Sequence, residues 1–475
     1  MKFRIQDSRF TVFVIALAGM VLHLGFANTM EYHRDELLYF SQSLHLSFGY
    51  FSVPPLSAWL AFVSARFLGY NLFAAKFLPA LAGGFTVFLC GSMARELGGG
   101  SRAQVMAAIS MSCSLLFLRA FYLFEPVPFD IFFWTLMFYF LLKFLNTHQN
   151  KFLIYLGITL GFSLLNKYNP LFLLIAFLIV IPFTPERLIF RNRKFYTAAL
   201  VAFLIFLPNL IWQLNHGLPV IHHMKELSQT QLVHMSLGIF LKEQLLIIMS
   251  ATLIGIPGIL MLLLKKDLRR YWLIGMMCIV VLLIFILLKG KSYYTAGIYP
   301  VMLAAGAVGI TSLTRRNFMD YLIILFLIAS TMVILPLGIP VFKPEKMVSY
   351  FDGFAKITGS NDVRRFEDNQ YHPLPQDYAD MLGWNELTLI TATAWQQVAD
   401  KDATIIYAEN YGEAGAIRVI GRKYGLPEPV SFNESFIYWR PLSFKKEIKT
   451  VIYINDEPGD DVQDLFGDIR LAGRI

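Results

Sequence analysis

Long apolar segments, separated by short polar ones, dominate the first 340 residues of the chain. A straight helical crossing of a bilayer needs about 20 apolar residues, and most of these segments approach that length. The pattern predicts a mainly α, polytopic membrane protein with about eleven transmembrane helices. The segments are 11–30, 72–94, 103–121, 127–145, 152–165, 170–184, 197–214, 239–264, 271–288, 295–313 and 319–337.

Two regions break this pattern. Residues 31–71, after the first apolar segment, alternate aromatic and polar positions, which predicts amphipathic juxtamembrane helices lying at the membrane surface. Gly49 and the pair Pro54-Pro55 are expected to interrupt them. Residues 341–475 have a soluble composition, with β-rich runs at 404–407 and 450–454. We therefore predict a transmembrane domain over 1–340, including the loop 31–71, and a small soluble α/β domain over 341–475.

Composition supports a membrane protein, because 56% of the residues are hydrophobic and only 16% are charged. The net charge of +8 combines a balance of +14 over residues 1–340 with −6 over residues 341–475. Basic residues that flank apolar segments are a topology signal, so nucleic acid is not an expected partner. The three cysteines lie within apolar segments, and their spacing indicates neither a disulfide framework nor a metal site.

The basic loops predict the orientation. With the N-terminus in the cytoplasm, most Lys and Arg residues fall on the cytoplasmic side, as expected in a bacterial inner membrane. An odd number of spans then puts residues 341–475 in the periplasm. The residues concerned are Arg95, Arg102, Lys143, Lys151, the clusters at 187–194 and 265–270, and Arg315 and Arg316.

The first candidate site follows the first apolar segment. Glu31, Asp35 and Glu36 are three carboxylates at a membrane surface, where they repel one another and lose hydration, and Arg34 can pair with only some of them. One interpretation is a solvated turn in which Asp35 caps a helix. The other is a catalytic carboxylate in an outer cleft.

A second acidic pair lies before the segment 127–145. Glu125 and Asp130 could simply complement the dipole of the helix that follows. Asp130 stands in an apolar context, however, and an ionisable group at membrane depth is a candidate functional residue. Its expected partners are Arg34, Arg119 or Lys167.

Cations beside aromatic residues form the third candidate group. They are Lys167 with Tyr168, and Lys291 with Tyr293 and Tyr294. Such lysines can act as snorkelling anchors. On the same face as the carboxylates, they could instead hold the phosphate of a lipid.

Together these groups predict transfer of a group from a lipid phosphate to an acceptor outside the cytoplasm. Lys and Arg would neutralise the leaving phosphate, and a carboxylate would orient or deprotonate a hydroxyl acceptor. The acidic tail, through Glu409 and Tyr411, could cover the donor or recruit the acceptor. The alternatives are a secondary transporter or a lipid flippase, and a structural or receptor role for the tail.

At these residues the chain resembles the C-type polytopic glycosyltransferases, in particular the bacterial family-39 branch, which is similar to protein O-mannosyltransferases and lipid A aminoarabinose transferases. The resemblance covers nearly the whole chain. It is carried by Arg34-Asp35-Glu36, Gly49-Tyr50-Phe51 with Pro54-Pro55-Leu56, residues 76–80 and 94–98, Asp130 to Trp134, Asn166-Lys167-Tyr168, Leu207-Pro208-Asn209 with Trp212-Gln213 and His216-Gly217, residues 291–294, and residues 409–415.

The resemblance implies an inverting transferase that uses a polyprenyl-phosphate sugar, with Asp35 at the catalytic position. It implies that Lys167, Lys291, Tyr293 and Tyr294 contact the donor phosphate and lipid. The expected acceptor is lipid A, lipopolysaccharide or another envelope glycan, or a protein hydroxyl group. Some relatives bind a divalent metal, which Asp35 and Asp130 could share, but we expect none to be required. The chain departs from its relatives at Ser52-Val53 before Pro54, and in having Glu125 with Asp130 instead of Thr-Pro-Asp.

Overall fold

A computed structural model describes residues 8–230, 232–314, 317–366, 368–455, 457 and 460–475, without the side chains of residues 234, 460, 461 and 463. About 73% of the chain is helical, which confirms the predicted mainly α class. The helices of the described residues are α1 (Arg9–Gly25), α2 (Arg34–Gln42), α3 (Leu56–Leu68), α4 (Leu72–Glu96), α5 (Ser101–Ser112), α6 (Leu115–Ala120), α7 (Pro126–Thr147), α8 (Lys151–Asn166), α9 (Pro170–Val180), α10 (Arg193–Asn215), α11 (Pro219–Thr230), α12 (Leu237–Ile248), α13 (Thr252–Leu264), α14 (Trp272–Leu287), α15 (Tyr299–Leu313), α16 (Asn317–Gly338), α17 (Pro344–Thr358), α18 (Gln376–Ala379), α19 (Trp384–Gln397), α20 (Tyr411–Val419) and α21 (Asp460–Leu465). The strands are β1 (Thr404–Ala408) and β2 (Thr450–Ile454).

Seven helical stretches among the described residues are long and apolar enough to cross a membrane. An eighth is formed if Pro170–Phe183 and Pro185–Arg191, which are bent by 110° at their junction, count as one span. Arg9–Gly25, Leu56–Leu68 and Lys151–Asn166 are shorter apolar helices. The predicted segment 103–121 is divided between α5 and α6, so the number eleven stays a prediction.

The chain forms two compact units, and the first consists of the residues up to Phe26 together with Lys76–Val341. Glycines let its helices approach closely, as is common where helices pack within a membrane. A Cβ at Gly157 of α8 would overlap the carbonyl group of Ala198 of α10. Helices α13 and α15 interlock in the same way, because a Cβ at Gly258 would overlap the Met302 carbonyl and one at Gly306 the Ile254 carbonyl.

Polar contacts join helix ends on one side of this unit. The Lys143 ammonium of α7 lies 2.6 Å from the Glu96 carboxylate at the end of α4, and Tyr271 donates to Asn146 Oδ1 at 2.7 Å. Arg102 of α5 pairs with Asp320 of α16 at 2.7 Å. Arg102 and Lys143, two of the basic residues predicted to lie on one side, thus take part in contacts between helices, and the orientation stays a prediction. Arg315 and Arg316 lie outside the described residues.

The second unit combines Ala27–Ala75 with Phe342–Ile475, a pairing that the sequence analysis did not anticipate. Its core packs Leu38 of α2 against Ala408, Ala414 and Phe436 of the tail. Strands β1 and β2, which coincide with the β-rich runs of the sequence, pair in parallel from Thr404–Thr450 to Ala408–Ile454. The loop after the first span and the tail thus share one hydrophobic core.

The loop itself contains two helices, α2 and α3, as its amphipathic pattern predicted. The break between them runs from 43 to 55 and includes Gly49, Pro54 and Pro55. Within it, the Tyr50 hydroxyl donates to the carbonyl groups of Gln42 and His45, at 3.2 and 3.0 Å. These bonds anchor the break to the end of α2.

Candidate functional site

The first unit carries a cluster of lysines and aromatic rings. Helix α8 ends at Asn166, whose side-chain amide donates to the Pro126 carbonyl at 2.8 Å, and the chain turns extended at Lys167. The Lys167 ammonium lies 4.9 Å from the ring centres of both Tyr293 and Tyr294, and the Lys291 ammonium lies 5.9 Å from that of Tyr293. We call Lys167, Lys291, Tyr293 and Tyr294 the cation–aromatic cluster.

Two carboxylates act on this cluster. Asp130, in the first turns of α7, is 5% exposed and accepts a hydrogen bond from the Asn169 amide at 3.4 Å. Asp130 and Glu125 both attract the Lys167 ammonium, whereas Lys291 repels it. Of the partners predicted for Asp130, the structure thus brings Lys167 close. The formal charges of the two lysines and the two carboxylates cancel. A further anion would therefore bind on the side where it lies nearer to the lysines than to the carboxylates.

Tyr168 is held by a neighbouring helix. Its hydroxyl donates to Asn209 Oδ1 of α10 at 2.9 Å, and its ring packs edge-on against Phe206. Asn209 is fully buried and belongs to the Leu207-Pro208-Asn209 motif. The contact gives Tyr168 and Asn209 a structural role in joining the turn after α8 to α10. The predicted phosphate contact of Tyr168 stays a prediction.

Helix α12 fixes the segment that carries the tyrosines, through contacts that the sequence analysis missed. Gln244 Oε1 accepts from Thr295 at 2.7 Å and from Tyr299 at 2.6 Å, while its amide donates to the Ser292 carbonyl at 3.1 Å. Glu243 accepts from Ser292. A polar Lys-Glu-Gln triplet inside the apolar segment 239–264 is the signal that could have indicated this role.

The second unit holds the acidic motif of the first loop. His33 is the N-cap of α2, and its Nδ1 accepts from the Asp35 amide at 3.1 Å. Glu36, which is fully buried, accepts from the His33 amide at 3.0 Å. This capping contact gives Glu36 a structural role. Glu36 is thus held by the cap, whereas the catalytic roles predicted for Asp35, Glu125 and Asp130 stay predictions.

Asp35 lies beside groups from the tail. The Tyr411 hydroxyl donates to Asp35 Oδ1 at 2.6 Å. Arg34 extends between three groups: its guanidinium is 4.0 Å from Asp35, 3.6 Å from Asp380 and 5.1 Å from the centre of the Tyr411 ring. The side chains of Arg34 and Asp35 are 33% and 29% exposed, so the group opens to solvent. We call Arg34, Asp35, Asp380 and Tyr411 the Asp35 cluster.

Negative charge is concentrated around Asp35. Burial raises the pKa of Asp380, an effect that Arg34 and His33 partly oppose. Burial also raises the pKa of Glu434, and the negative charge of Asp35 raises it further. The Glu434 carboxylate accepts a hydrogen bond from the Ser435 hydroxyl at 2.7 Å. Asp380 and Glu434 were missed in the sequence, because nothing near them in the chain distinguishes them from other acidic tail residues.

Glu409, the other tail residue predicted to contact the acceptor, is exposed at the end of β1. Its carboxylate accepts from the Tyr453 hydroxyl of β2 at 3.2 Å. The role predicted for Glu409 stays a prediction.

Comparisons with known proteins give the class of fold. The family model described as dolichyl-phosphate-mannose-protein mannosyltransferase matches residues 52–212, about a third of the chain. A comparison with curated protein sequences gives no match. The resemblance to membrane glycosyltransferases that the sequence motifs indicate is confirmed.

Two solved structures show the particular fold. The chain is similar to ArnT from Cupriavidus metallidurans bound to undecaprenyl phosphate, at 14% identity and a TM-score of 0.63, over 90% of this chain and 86% of that one. It is similar to the apo form of the same protein at 14% identity and a TM-score of 0.59, over 86% and 84% of the two chains. The protein thus has an ArnT-like fold over nearly its whole length.

Proposed function

We propose that this protein is a glycosyltransferase that moves a sugar from a polyprenyl-phosphate donor to an acceptor on the periplasmic side of a bacterial inner membrane. The observation that carries the proposal is the cation–aromatic cluster, in which two lysines and two tyrosines gather at helix ends of an apolar bundle. A lipid phosphate needs cations beside hydrocarbon, and this cluster offers both. The undecaprenyl phosphate bound to ArnT supports the same class of donor.

In the proposed reaction, Lys167 and Lys291 bind the donor phosphate and stabilise the charge that develops as it leaves. The acceptor oxygen attacks the anomeric carbon from the opposite face, so the configuration inverts. Asp35 orients the acceptor and takes its proton if the acceptor is a hydroxyl group. The N-terminus lies in the cytoplasm and the Asp35 cluster faces the periplasm.

We propose lipid A, lipopolysaccharide or another envelope glycan as the acceptor. A Ser or Thr hydroxyl group of a protein is the second candidate, because the matched family model describes a protein mannosyltransferase. No metal is part of the proposal. Asp130 already lies beside the Lys167 ammonium, whose positive charge would repel a metal ion at that carboxylate.

The test replaces Asp35 by Asn, which keeps the side-chain shape and removes the charge. We expect Asp35→Asn to abolish sugar transfer while the protein still inserts and folds. Mass spectrometry of envelope lipids and glycans, from cells with wild-type or variant protein, would show which sugar and which acceptor are lost. Asp352→Asn is the matched control, because Asp352 pairs with Arg364 elsewhere in the same unit.

Two outcomes would contradict the proposal. If Asp35→Asn keeps at least half of the wild-type turnover, the Asp35 carboxylate has no essential role in the reaction. Movement of a lipid-linked sugar across vesicle membranes by the purified protein, without chemical change, would instead establish a transporter or flippase.

A further inference from the structure

We propose that Tyr411, in the C-terminal tail, is a positioning residue that holds the Asp35 carboxylate in its working orientation. The inference rests on the proposed function, since it assigns a role to Tyr411 through Asp35. The tail would then be part of the reaction apparatus instead of a separate accessory domain. Tyr411 and Asp35 both belong to the unit formed by Ala27–Ala75 and Phe342–Ile475.

The contact itself is short and directional. The Tyr411 hydroxyl lies 2.6 Å from Asp35 Oδ1, a distance typical of a hydroxyl donating to a carboxylate. Burial is the main cause that raises the pKa of Tyr411 well above its ordinary value, and the nearby Asp35 charge adds to it. The hydroxyl therefore stays protonated and remains a donor. Among the described residues, no hydrogen bond reaches Asp35 Oδ2, which leaves that oxygen for an acceptor.

The backbone of Tyr411 is fixed at the start of α20. Asn410 caps this helix, because its Oδ1 accepts from the amides of Gly412 at 2.9 Å and Glu413 at 3.0 Å. The Tyr411 amide donates to Asn433 Oδ1 at 3.1 Å. A residue held by its own amide and by a capped helix has a defined ring direction, which a positioning residue requires.

Two glycines allow α20 to approach the loop helix α2. A Cβ at Gly412 would lie 2.6 Å from Cγ of Arg34, and one at Gly415 would lie 2.8 Å from Cβ of Leu37 and 3.0 Å from its carbonyl carbon. Leu38 packs in the core beside Ala414. The spacing of the motif Tyr411-Gly412-Glu413-Ala414-Gly415 thus has a physical reason: it brings one hydroxyl group to one carboxylate.

Charge explains why Asp35 needs this donor. The adjacent Arg34 is 4.0 Å from Asp35 but 3.6 Å from Asp380, and it lies over the Tyr411 ring. Without the tyrosine hydroxyl, Asp35 could turn towards the guanidinium and form a closer ion pair. A carboxylate paired in this way is a weaker base and points away from an acceptor.

Tyr411 supports a direct transfer of the sugar from the donor phosphate to the acceptor. The acceptor oxygen bonds to the anomeric carbon, and the bond between that carbon and the donor phosphate oxygen breaks, with its electron pair leaving on the phosphate. With a hydroxyl acceptor, the proton goes to Asp35 Oδ2. With a phosphate acceptor no proton moves, and Asp35 orients the acceptor only.

The experiment compares full-length wild-type protein with Tyr411→Phe and Asp35→Asn in lipid nanodiscs. The probes are farnesyl-phosphate-linked hexoses and aminopentoses with extracted envelope lipids as acceptors, and release of farnesyl phosphate is measured. Tyr411→Phe keeps the ring over Arg34 and removes only the donor. Because the lost hydrogen bond goes to a charged group, we expect kcat to fall about 10-fold or more. The donor KM should stay within about twofold of wild type, because the donor site is made by other residues.

The control is Tyr371→Phe, which removes the hydroxyl group of an exposed tyrosine in the same unit. It should leave kcat unchanged. Thermal unfolding of the same variants separates the two roles. A merely structural tyrosine would lower thermal stability together with activity, whereas a positioning tyrosine lowers kcat without that loss of stability.

The outcomes separate the two proposals. If the wild-type protein releases no farnesyl phosphate from any probe, the proposed donor class is wrong. If wild type is active and Asp35→Asn is inactive, but Tyr411→Phe has wild-type kcat or a donor KM that rises in parallel with the loss, the role of Tyr411 is overturned and the proposed function stands.

Discussion

At the scale of single residues, similar side chains acquired different roles from their surroundings. Asp35 and Glu36 are adjacent acidic residues, yet Glu36 is fully buried and caps α2, whereas Asp35 is partly exposed and meets Tyr411. Sequence alone marked both as candidates, because composition and spacing do not show which carboxylate faces a backbone amide. The lysines of the cation–aromatic cluster were identifiable, since each stands beside a tyrosine in a polar break between apolar segments.

Lys167 gives the residue-scale prediction. Lys167→Met keeps the length and apolar stem of the side chain but removes the charge expected to bind the donor phosphate. The loss of a charge-assisted contact of about 1.5–3 kcal/mol should raise the donor KM about 10-fold or more. Steady-state kinetics with a short-chain polyprenyl-phosphate sugar would measure the change.

Lys151→Met is the control for this variant. Lys151 begins α8, the helix that Lys167 follows, and its ammonium lies 5.2 Å from the centre of the Phe152 ring. An equal rise in donor KM for both variants would show that the effect is not specific to the cluster.

At the scale of elements, helices and their breaks follow the sequence pattern closely, but contacts between helices do not. The break predicted at Gly49, Pro54 and Pro55 lies between α2 and α3, because proline lacks a backbone donor and disfavours a helix interior. The close pairs α8–α10 and α13–α15 depend on glycines whose partners are distant in the chain. The apolar pattern indicates that a segment is buried or faces lipid without indicating its neighbour.

The α13–α15 pair gives the element-scale prediction. In Gly306→Ala the new methyl group would overlap the Ile254 carbonyl, which the backbone of α13 cannot easily move away from. Overpacking of this kind costs about 1–3 kcal/mol, so we expect a lower yield of monodisperse protein and a lower unfolding temperature. Size-exclusion chromatography and thermal unfolding in detergent would measure both.

Gly238→Ala is the matched control, because a Cβ at Gly238 of α12 would contact no described residue beyond its chain neighbours and the backbone of its own helix. It should behave as wild type or better, since alanine favours helix more than glycine does. Equal behaviour of the two variants would argue against the close α13–α15 contact.

At the scale of the whole molecule, the first loop and the tail share one core, and carboxyl groups buried in this unit make its stability depend on pH. Asp380 and Glu434 both have pKa values raised above their ordinary values of 3.8 and 4.5, chiefly by burial. A raised pKa means that the folded protein holds its proton more tightly than the unfolded chain. The stability contributed by these groups is therefore fully present below the ordinary values and is lost as pH rises through the raised ones.

The whole-molecule prediction follows from Glu434. Glu434→Gln should raise the unfolding temperature of the unit near pH 7.5, and should do so by less near pH 5, because the native carboxyl group is then more protonated. Thermal unfolding at the two pH values, followed by fluorescence of the tail tryptophans, would measure this difference. A variant that is stabilised equally at both values, or destabilised more at the higher one, would contradict the assignment.

The sequence by itself determined the membrane class, the helices and the residue types of the site, because hydrophobicity, helix breaking and charge are properties of short segments. It also indicated a resemblance that the ArnT-like fold bears out. Only the tertiary structure decided that the first loop shares its core with the tail, and that Tyr411 meets Asp35 across 376 positions of the chain. Such contacts depend on which buried surfaces fit one another, and shape complementarity between distant segments leaves no periodic trace in either segment.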